Sequence, residues 1–126
     1  MSLVLDAGAL VAIERLDRDV IALLKQESVA GRVPRTHAGV VGQVWRGGSG
    51  RQAILARILP GLDVCALDEA LGKRAGMLLG RARKTDVVDA AVVLLAEDGD
   101  TILTSDPQDL QALAACAGVH VDLVPP

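Results

Sequence analysis

Residues 85–96, TDVVDAAVVLLA, decide the fold. Valine-rich runs favour strands, but the eleven unbroken residues from Asp86 onward exceed a usual strand of about 5–6 residues. Asp86 and Asp89 also stand at i and i+3, a spacing that puts both acids on one side of a helix. The segment therefore reads as a helix over 86–96, apolar nearly all round apart from those two acids, as a buried central helix must be.

Working outward, Gly99-Asp100 turns the chain into a strand at 101–104 (TILT). Asp106-Pro107 then opens a last helix through Leu110 and Leu113, and 119–123 makes a final strand. Upstream, Asp68 caps a helix with Leu71, Ala75, Leu78 and Leu79 on one side and Gly80 at its end. A strand at 63–67 precedes it, and a short helix at 52–59 stops before Pro60-Gly61. Gly47, Gly48, Ser49 and Gly50 break a helix that Thr36 caps and that runs through Val40, Val41 and Val44 to Trp45. A short strand at 32–35 follows a helix that starts near Asp19, with Asp17 or Asp19 as its cap, and ends at Gly31. The chain opens with a buried strand at 2–5 (SLVL) ending at Asp6, then a helix-permissive stretch through Glu14 and Arg15. Strands alternating with helices predict a parallel sheet covered on both faces. The expected architecture is a three-layer α/β/α sandwich with about four to five strands, in one domain spanning 1–126.

Composition narrows the function. The hydrophobic fraction of 51% includes no Phe or Tyr and a single Trp, so the core is aliphatic and base stacking on aromatics has little to work with. A net charge of −3 argues against a general nucleic-acid binder, which needs clustered Lys and Arg. Cys65 and Cys116 have no Cys or His partners at metal-finger spacing, so neither a disulfide framework nor a zinc site is signalled. No apolar run approaches the ~18 residues of a membrane span, and the start MSLVLDAGAL has an acid where a signal peptide needs bases. A cytoplasmic protein off the membrane is the expectation.

Asp outnumbers Glu by 12 to 4, and the placement of the aspartates is informative. Asp6 sits just past the first strand and Asp106 just past the strand ending in Thr104. In open parallel sheets, ligands bind outside the carboxyl ends of strands where the strand order reverses, so the two acids converge there if their strands are neighbours. Taken singly, Asp6, Asp86 and Asp106 each read as a helix cap. Taken together, they are like charges that repel by about 4 kcal/mol per pair at 4 Å and an effective dielectric near 20. A divalent cation relieves that repulsion. All-oxygen ligands suit Mg²⁺ or Mn²⁺ rather than zinc, and such ions serve phosphodiester cleavage.

At these residues the sequence resembles the PIN-domain nucleases, and most closely the ribonuclease toxins of the VapBC toxin–antitoxin type. The matching stretches are LVLDAGAL at the N-terminus, TDVVDAAVVLLA, and DTILTSDPQDL with its TSD; in order and spacing they span nearly the whole chain. The resemblance implies metal-binding acids at Asp6, Asp86 and Asp106, with Asp89 as a further member. It also implies RNA as substrate, a homodimer, and inhibition by a small cognate antitoxin protein. The family's usual acid on the helix after the second strand is missing, because Gln43 occupies its place. A glutamine carbonyl still accepts a hydrogen bond from a metal-bound water but adds no charge, and Asp89 restores an acid nearby.

Basic residues available to RNA phosphates are Arg46, Arg51, Arg81, Arg83 and Lys84, against the plainer reading that they solvate the surface. Trp45 reads as packing. His37 and His120 are isolated and read as packing and backbone-bonding residues, and no serine has a His and Asp constellation around it. Val11, Ile13, Val20 and Leu24 either form a groove for an antitoxin helix or belong to the core. Two other functions stay open. One is a PIN-like fold that acts through protein binding with little nuclease activity. The other is a nucleotide-binding module, from the GxGxxA match at Gly48, Gly50 and Ala53 with Asp68 downstream.

Overall fold

The computed structural model describes residues 1–126. In chain order the elements are β1 (Leu3–Leu5), α1 (Ala7–Glu14), α2 (Arg18–Val29), β2 (Arg35–His37), α3 (Ala38–Val44), α4 (Ala53–Ile58), β3 (Asp63–Cys65), α5 (Glu69–Ala82), α6 (Val87–Leu95), β4 (Thr101–Leu103), α7 (Pro107–Ala117) and β5 (Asp122–Val124). Single 3₁₀ turns at Gly50–Gln52 and Leu59–Gly61 flank α4.

The five strands form one sheet in the order β3-β2-β1-β4-β5, and every neighbouring pair is parallel. Right-handed crossovers then dictate the layers. From β1 to β2 to β3 the chain steps one way, which puts α1 to α4 on one face. The return from β3 to β4, and the step on to β5, run the other way and put α5, α6 and α7 on the opposite face. The contacts agree: α1 packs on α2, α3 and α4, whereas α5, α6 and α7 pack on one another. The result is the expected three-layer α/β/α sandwich. No helix is long and apolar enough to cross a membrane.

The core is a cluster of 23 buried residues, all aliphatic. Central strands read as unbroken apolar runs because both faces are covered, and Leu3, Val4 and Leu5 are all buried. Burying a side chain such as Leu5 or Ile102 contributes about 1.5–3 kcal/mol. The helix expected over 86–96 is α6. Its residues Ala90, Ala91, Val92 and Val93 are all buried, and it lies against β1, β2, α5 and α7. The small side chains at Ala90 and Ala91 let a helix enclosed on so many sides fit.

Several boundaries differ from expectation. The second strand is 35–37, not 32–35: Pro34 has no N–H to give a ladder, while the Arg32 N–H closes α2 on Glu27 O. Thr36 does not cap α3, because its hydroxyl donates to Leu5 O across the sheet at 2.8 Å; the His37 ring caps instead, Nδ1 accepting from Gly39 N–H at 3.0 Å. The third strand stops at Cys65 rather than Leu67. Helix α5 runs past Gly80 to Ala82, where Arg83 in the left-handed region (φ 55) ends it. The last strand is 122–124, not 119–123, because Gly118 and the Val119 N–H are taken up in closing α7.

Candidate functional site

Strand order reverses between β1 and β4, so the crevice at their carboxyl ends is the switch point where open α/β sheets bind ligands. Asp6 stands there, 5% exposed, its N–H continuing the ladder to Leu103 O at 3.0 Å. One carboxylate oxygen, Oδ1, accepts from Ala7 N–H at 2.8 Å, which starts α1. The other, Oδ2, accepts the Thr104 hydroxyl at 3.0 Å, and the same Oγ1 accepts the Asp106 N–H at 3.0 Å. Thr104 is fully buried, so one hydroxyl fixes Asp6 and the backbone of Asp106 relative to each other. Gly8 closes the arrangement: a Cβ there would sit 2.7 Å from Ser105 Oγ, so only glycine lets α1 approach the loop after β4 this closely.

The capping reading separates the aspartates. Asp6, Asp17, Asp68 and Asp86 each cap a helix through their side chains. Asp106 stands at the start of α7 and makes no such bond, so its exposed carboxylate is free for a ligand. Asp86 caps α6 with Oδ1 alone, taking the Val88 and Asp89 N–H groups at 2.9 and 3.1 Å.

Asp89, in the first turn of α6 and half-buried, shows that these acids share one field. Burial pushes its carboxyl up to about 7, and the carboxylates of Asp86, Asp6, Asp106 and Asp109 push in the same direction. No Lys or Arg nitrogen comes within 4 Å of Asp6, Asp86, Asp89 or Asp106; the five ion pairs lie elsewhere. No group of three or more His, Cys, Asp or Glu side chains stands close enough to grip one ion. The donors are all carboxylate oxygens, a set that fits Mg²⁺ or Mn²⁺.

Beside the acids opens a cleft of about 1120 Å³. Ala7, Gly8 and Ser105 line its inner end, next to Asp6 and Asp106, and Gln43, Arg46 and Arg51 line it further out. Gln43 is thus exposed on the cleft wall, while Asp6, Asp86, Asp89 and Asp106 themselves do not line the cleft. The basic residues divide: Arg46 and Arg51 line the cleft, whereas Arg81, Arg83 and Lys84 do not, and Lys84 is engaged with Asp109 at 3.4 Å.

Other sequence expectations meet the structure as follows. Ile13 and Val20 are fully buried in the core and are not available to a groove; Val11 and Leu24 pack against that core. Trp45 packs on the core as expected, with Gly48 under its ring. The Gly48–Gly50 run follows α3 rather than a strand, and Asp68 is spent on capping α5, so neither has the context of a dinucleotide fingerprint. Both cysteines are free, and burial pushes the Cys65 thiol up, away from its reactive form.

Two polar residues, Asp109 and Gln52, went unread in the sequence, and His37 packs and bonds to backbone as expected. Asp109 repeats, from Asp106, the i, i+3 spacing of Asp86 and Asp89, a signal that would have found it. His37 is fully buried; since its Nδ1 accepts from Gly39, Nε2 carries the proton and donates to Val88 O at 3.0 Å. That bond ties the first turn of α6, and with it Asp86 and Asp89, to the end of β2. Buried Gln52 organises the glycine loop, and nothing local in the sequence signals it. Comparison with protein-family models and with curated proteins finds no match for this chain.

Proposed function

We propose that this chain is a Mg²⁺- or Mn²⁺-dependent endoribonuclease of the PIN-domain type, acting as the toxin of a toxin–antitoxin pair. The observation that carries the reading is the shared field at the switch point: Asp6, Asp86 and Asp106 all bear on Asp89, and no basic side chain compensates them. An uncompensated acidic crevice at the ligand-binding edge of a parallel sheet suits a divalent cation.

Asp6, Asp86 and Asp106 would hold the ion, with Asp89 beside them. The bound ion supplies charge neutralisation at the phosphate oxygens and activation of the attacking water. The protein's own part is orientation and charge. The Thr104 hydroxyl holds Asp6 in one rotamer and so fixes where its free lone pairs point. Asp106, unused as a cap, turns to its ligand without loss of a helix bond. Asp89, whose carboxyl burial and the neighbouring acids push up in the metal-free chain, adds its charge to the set once a cation relieves that repulsion. Gln43 on the cleft wall accepts or donates hydrogen bonds to the substrate or to water and adds no charge.

The decisive experiment is cleavage of mixed RNA by the purified chain with Mn²⁺, with chelator, and with Asp6→Ala. Metal-dependent cleavage lost in Asp6→Ala is expected; cleavage that survives both chelator and Asp6→Ala overturns the assignment. A second reading draws on Gln43: with an amide where the family's acid would stand, the chain acts through protein binding with little nuclease activity. Absence of cleavage together with a stable complex between the chain and a co-expressed small neighbouring protein would favour it. In either reading the partner is a small antitoxin and the chain pairs as a homodimer. Copurification from co-expression tests the antitoxin, and recovery of this chain alone counts against it.

A further inference from the structure

The glycine loop that has no dinucleotide context is nevertheless a built feature. Gln52, 7% exposed, spends its whole amide on its surroundings. Its Oε1 accepts the N–H groups of Arg46 (2.8 Å) and Gly48 (3.2 Å), and its Nε2 donates to Val44 O (2.8 Å) and to Glu14 Oε2 (3.3 Å). The loop is therefore clamped at both its ends and to α1. Gly47, Gly48 and Gly50 have positive φ values of 114, 73 and 59, a backbone that glycine adopts without steric cost. The N–H groups of Gly47, Ser49 and Gly50 have no partner in the protein. The Glu14 carboxylate also holds Arg51 Nε at 3.5 Å, although the Arg51 side chain is otherwise 92% exposed. Arg46 curls back to donate to Gly42 O and Trp45 O, which fixes its charge at the rim. Both arginines line the cleft, as do Glu14, Asp17 and, next in the chain to Asp6 and Asp106, Ala7 and Ser105.

We propose that this Gln52-clamped loop, with Arg46 and Arg51, is the docking site for the phosphodiester backbone of single-stranded RNA on one side of the bond to be cut. The choice of RNA rests on the ribonuclease reading; the anion-binding geometry does not. Unpartnered N–H groups and the guanidinium N–H groups that Arg46 and Arg51 keep beyond their bonds to Gly42, Trp45 and Glu14 recognise phosphate oxygens, and the acidic crevice itself repels them until a cation is present. From Ala7 to Glu14 the cleft follows α1 for roughly 10 Å at 1.5 Å per residue, so the loop grips the strand away from the reacting phosphate. The arginines then contribute binding and not chemistry. Gln52 is a positioning residue, acting through the loop it holds.

The test is fluorescence anisotropy with a labelled single-stranded oligoribonucleotide of mixed sequence, in chelator so that nothing is cut, over a range of salt. Arg46→Ala/Arg51→Ala should weaken binding at least tenfold and reduce the salt slope by about 1.4, the value for two lost single-strand phosphate contacts at 0.7 each. Arg74→Ala, exposed on α5 in the other layer, is the control and should leave binding as it was. In Mn²⁺ assays Gln52→Ala should raise KM with kcat unchanged, the signature of lost uniform binding. Unchanged affinity and slope in Arg46→Ala/Arg51→Ala overturn the proposal, as does a loss carried instead by Arg81→Ala/Arg83→Ala. Because the binding arm needs no metal, its failure is separate from that of the ribonuclease reading. RNA bound through the loop but never cut sinks the nuclease alone, and RNA cut by Arg46→Ala/Arg51→Ala with wild-type KM sinks this site alone.

Discussion

Asp100, just before β4, and Asp6, just after β1, are buried aspartates on neighbouring central strands at opposite ends of the sheet, 3% and 5% exposed. Asp100 is fully compensated: Oδ1 accepts the Ser2 N–H, and Oδ2 accepts the Glu97 N–H and pairs with Arg35 Nη2 at 3.3 Å. Asp6 has two hydrogen bonds but no cation, and its charge bears on Asp89 together with those of Asp86, Asp106 and Asp109. A charge buried for structure is paired on the spot. A charge left unpaired beside others, at the edge where parallel sheets bind ligands, fits the cation-holding role proposed for it.

The largest effect of a single substitution expected from this contrast is structural. Asp100→Ala strands Arg35 and two backbone N–H groups, and should lower stability by about 3 kcal/mol, or roughly 10 °C in thermal midpoint for a chain of this length. A loss below about 1 kcal/mol in denaturant unfolding would erase the distinction between the two ends. At the other end, Asp106→Asn removes a charge that caps nothing. Cleavage should fall about 100-fold, at the upper end of what even indirect metal-site partners cost, while the unfolding midpoint stays level or rises. Cleavage undiminished in Asp106→Asn would show that the free carboxylate has no part in the reaction.

Between the two lies Thr104, which serves both fold and site. Thr104→Val leaves Asp6 Oδ2 and the Asp106 N–H without their shared partner. It should cost about 1–3 kcal/mol in stability and 10-fold or more in cleavage. Thr104→Ser restores the hydroxyl and should recover the activity even where stability is only partly regained; a Ser variant as inactive as Val would show that the methyl, not the hydroxyl, matters.

The same contrast explains what the sequence made legible. Asp6 and Asp106 were readable because they sit at strand ends, and a strand end in a parallel sheet has a known address. Helix α6 was readable because its length exceeds a strand's and its only acids fall at i, i+3. Asp100 read only as a turn residue, since its partners Ser2 and Arg35 lie far off in the chain. Gln52 is just as opaque, because the residues it clamps come from α1, α3 and the glycine loop. The start of β2 moved because Pro34 cannot donate, a local fact that was present in the sequence, and the failed Thr36 cap reflects a cross-strand bond to Leu5 that was not. Local chemistry shows in a sequence; compensation between distant residues shows only once the chain is folded.

The last effect is the one most specific to the acidic end. Asp89 titrates at 3.8 when unperturbed and at about 7 in the folded chain. Between those values the unfolded chain has lost a proton that the folded one keeps. The stabilisation from this group is therefore full below pH about 4 and lost as pH rises through about 7. Without divalent cation the unfolding free energy should decline across that window and level off above it, and Asp89→Asn should remove this part of the decline. Mn²⁺ favours the ionised form, so it should raise the midpoint at pH 8 more than at pH 5, with a gain of about 2.7 kcal/mol when present at 100 times its dissociation constant. Asp100, already neutralised by Arg35, gives no reason for Mn²⁺ to act at its end of the sheet, so the cation's effect should survive Asp100→Ala and vanish in Asp6→Ala. A cation effect that persists in Asp6→Ala would place the ion away from the switch point and break the comparison between the two ends.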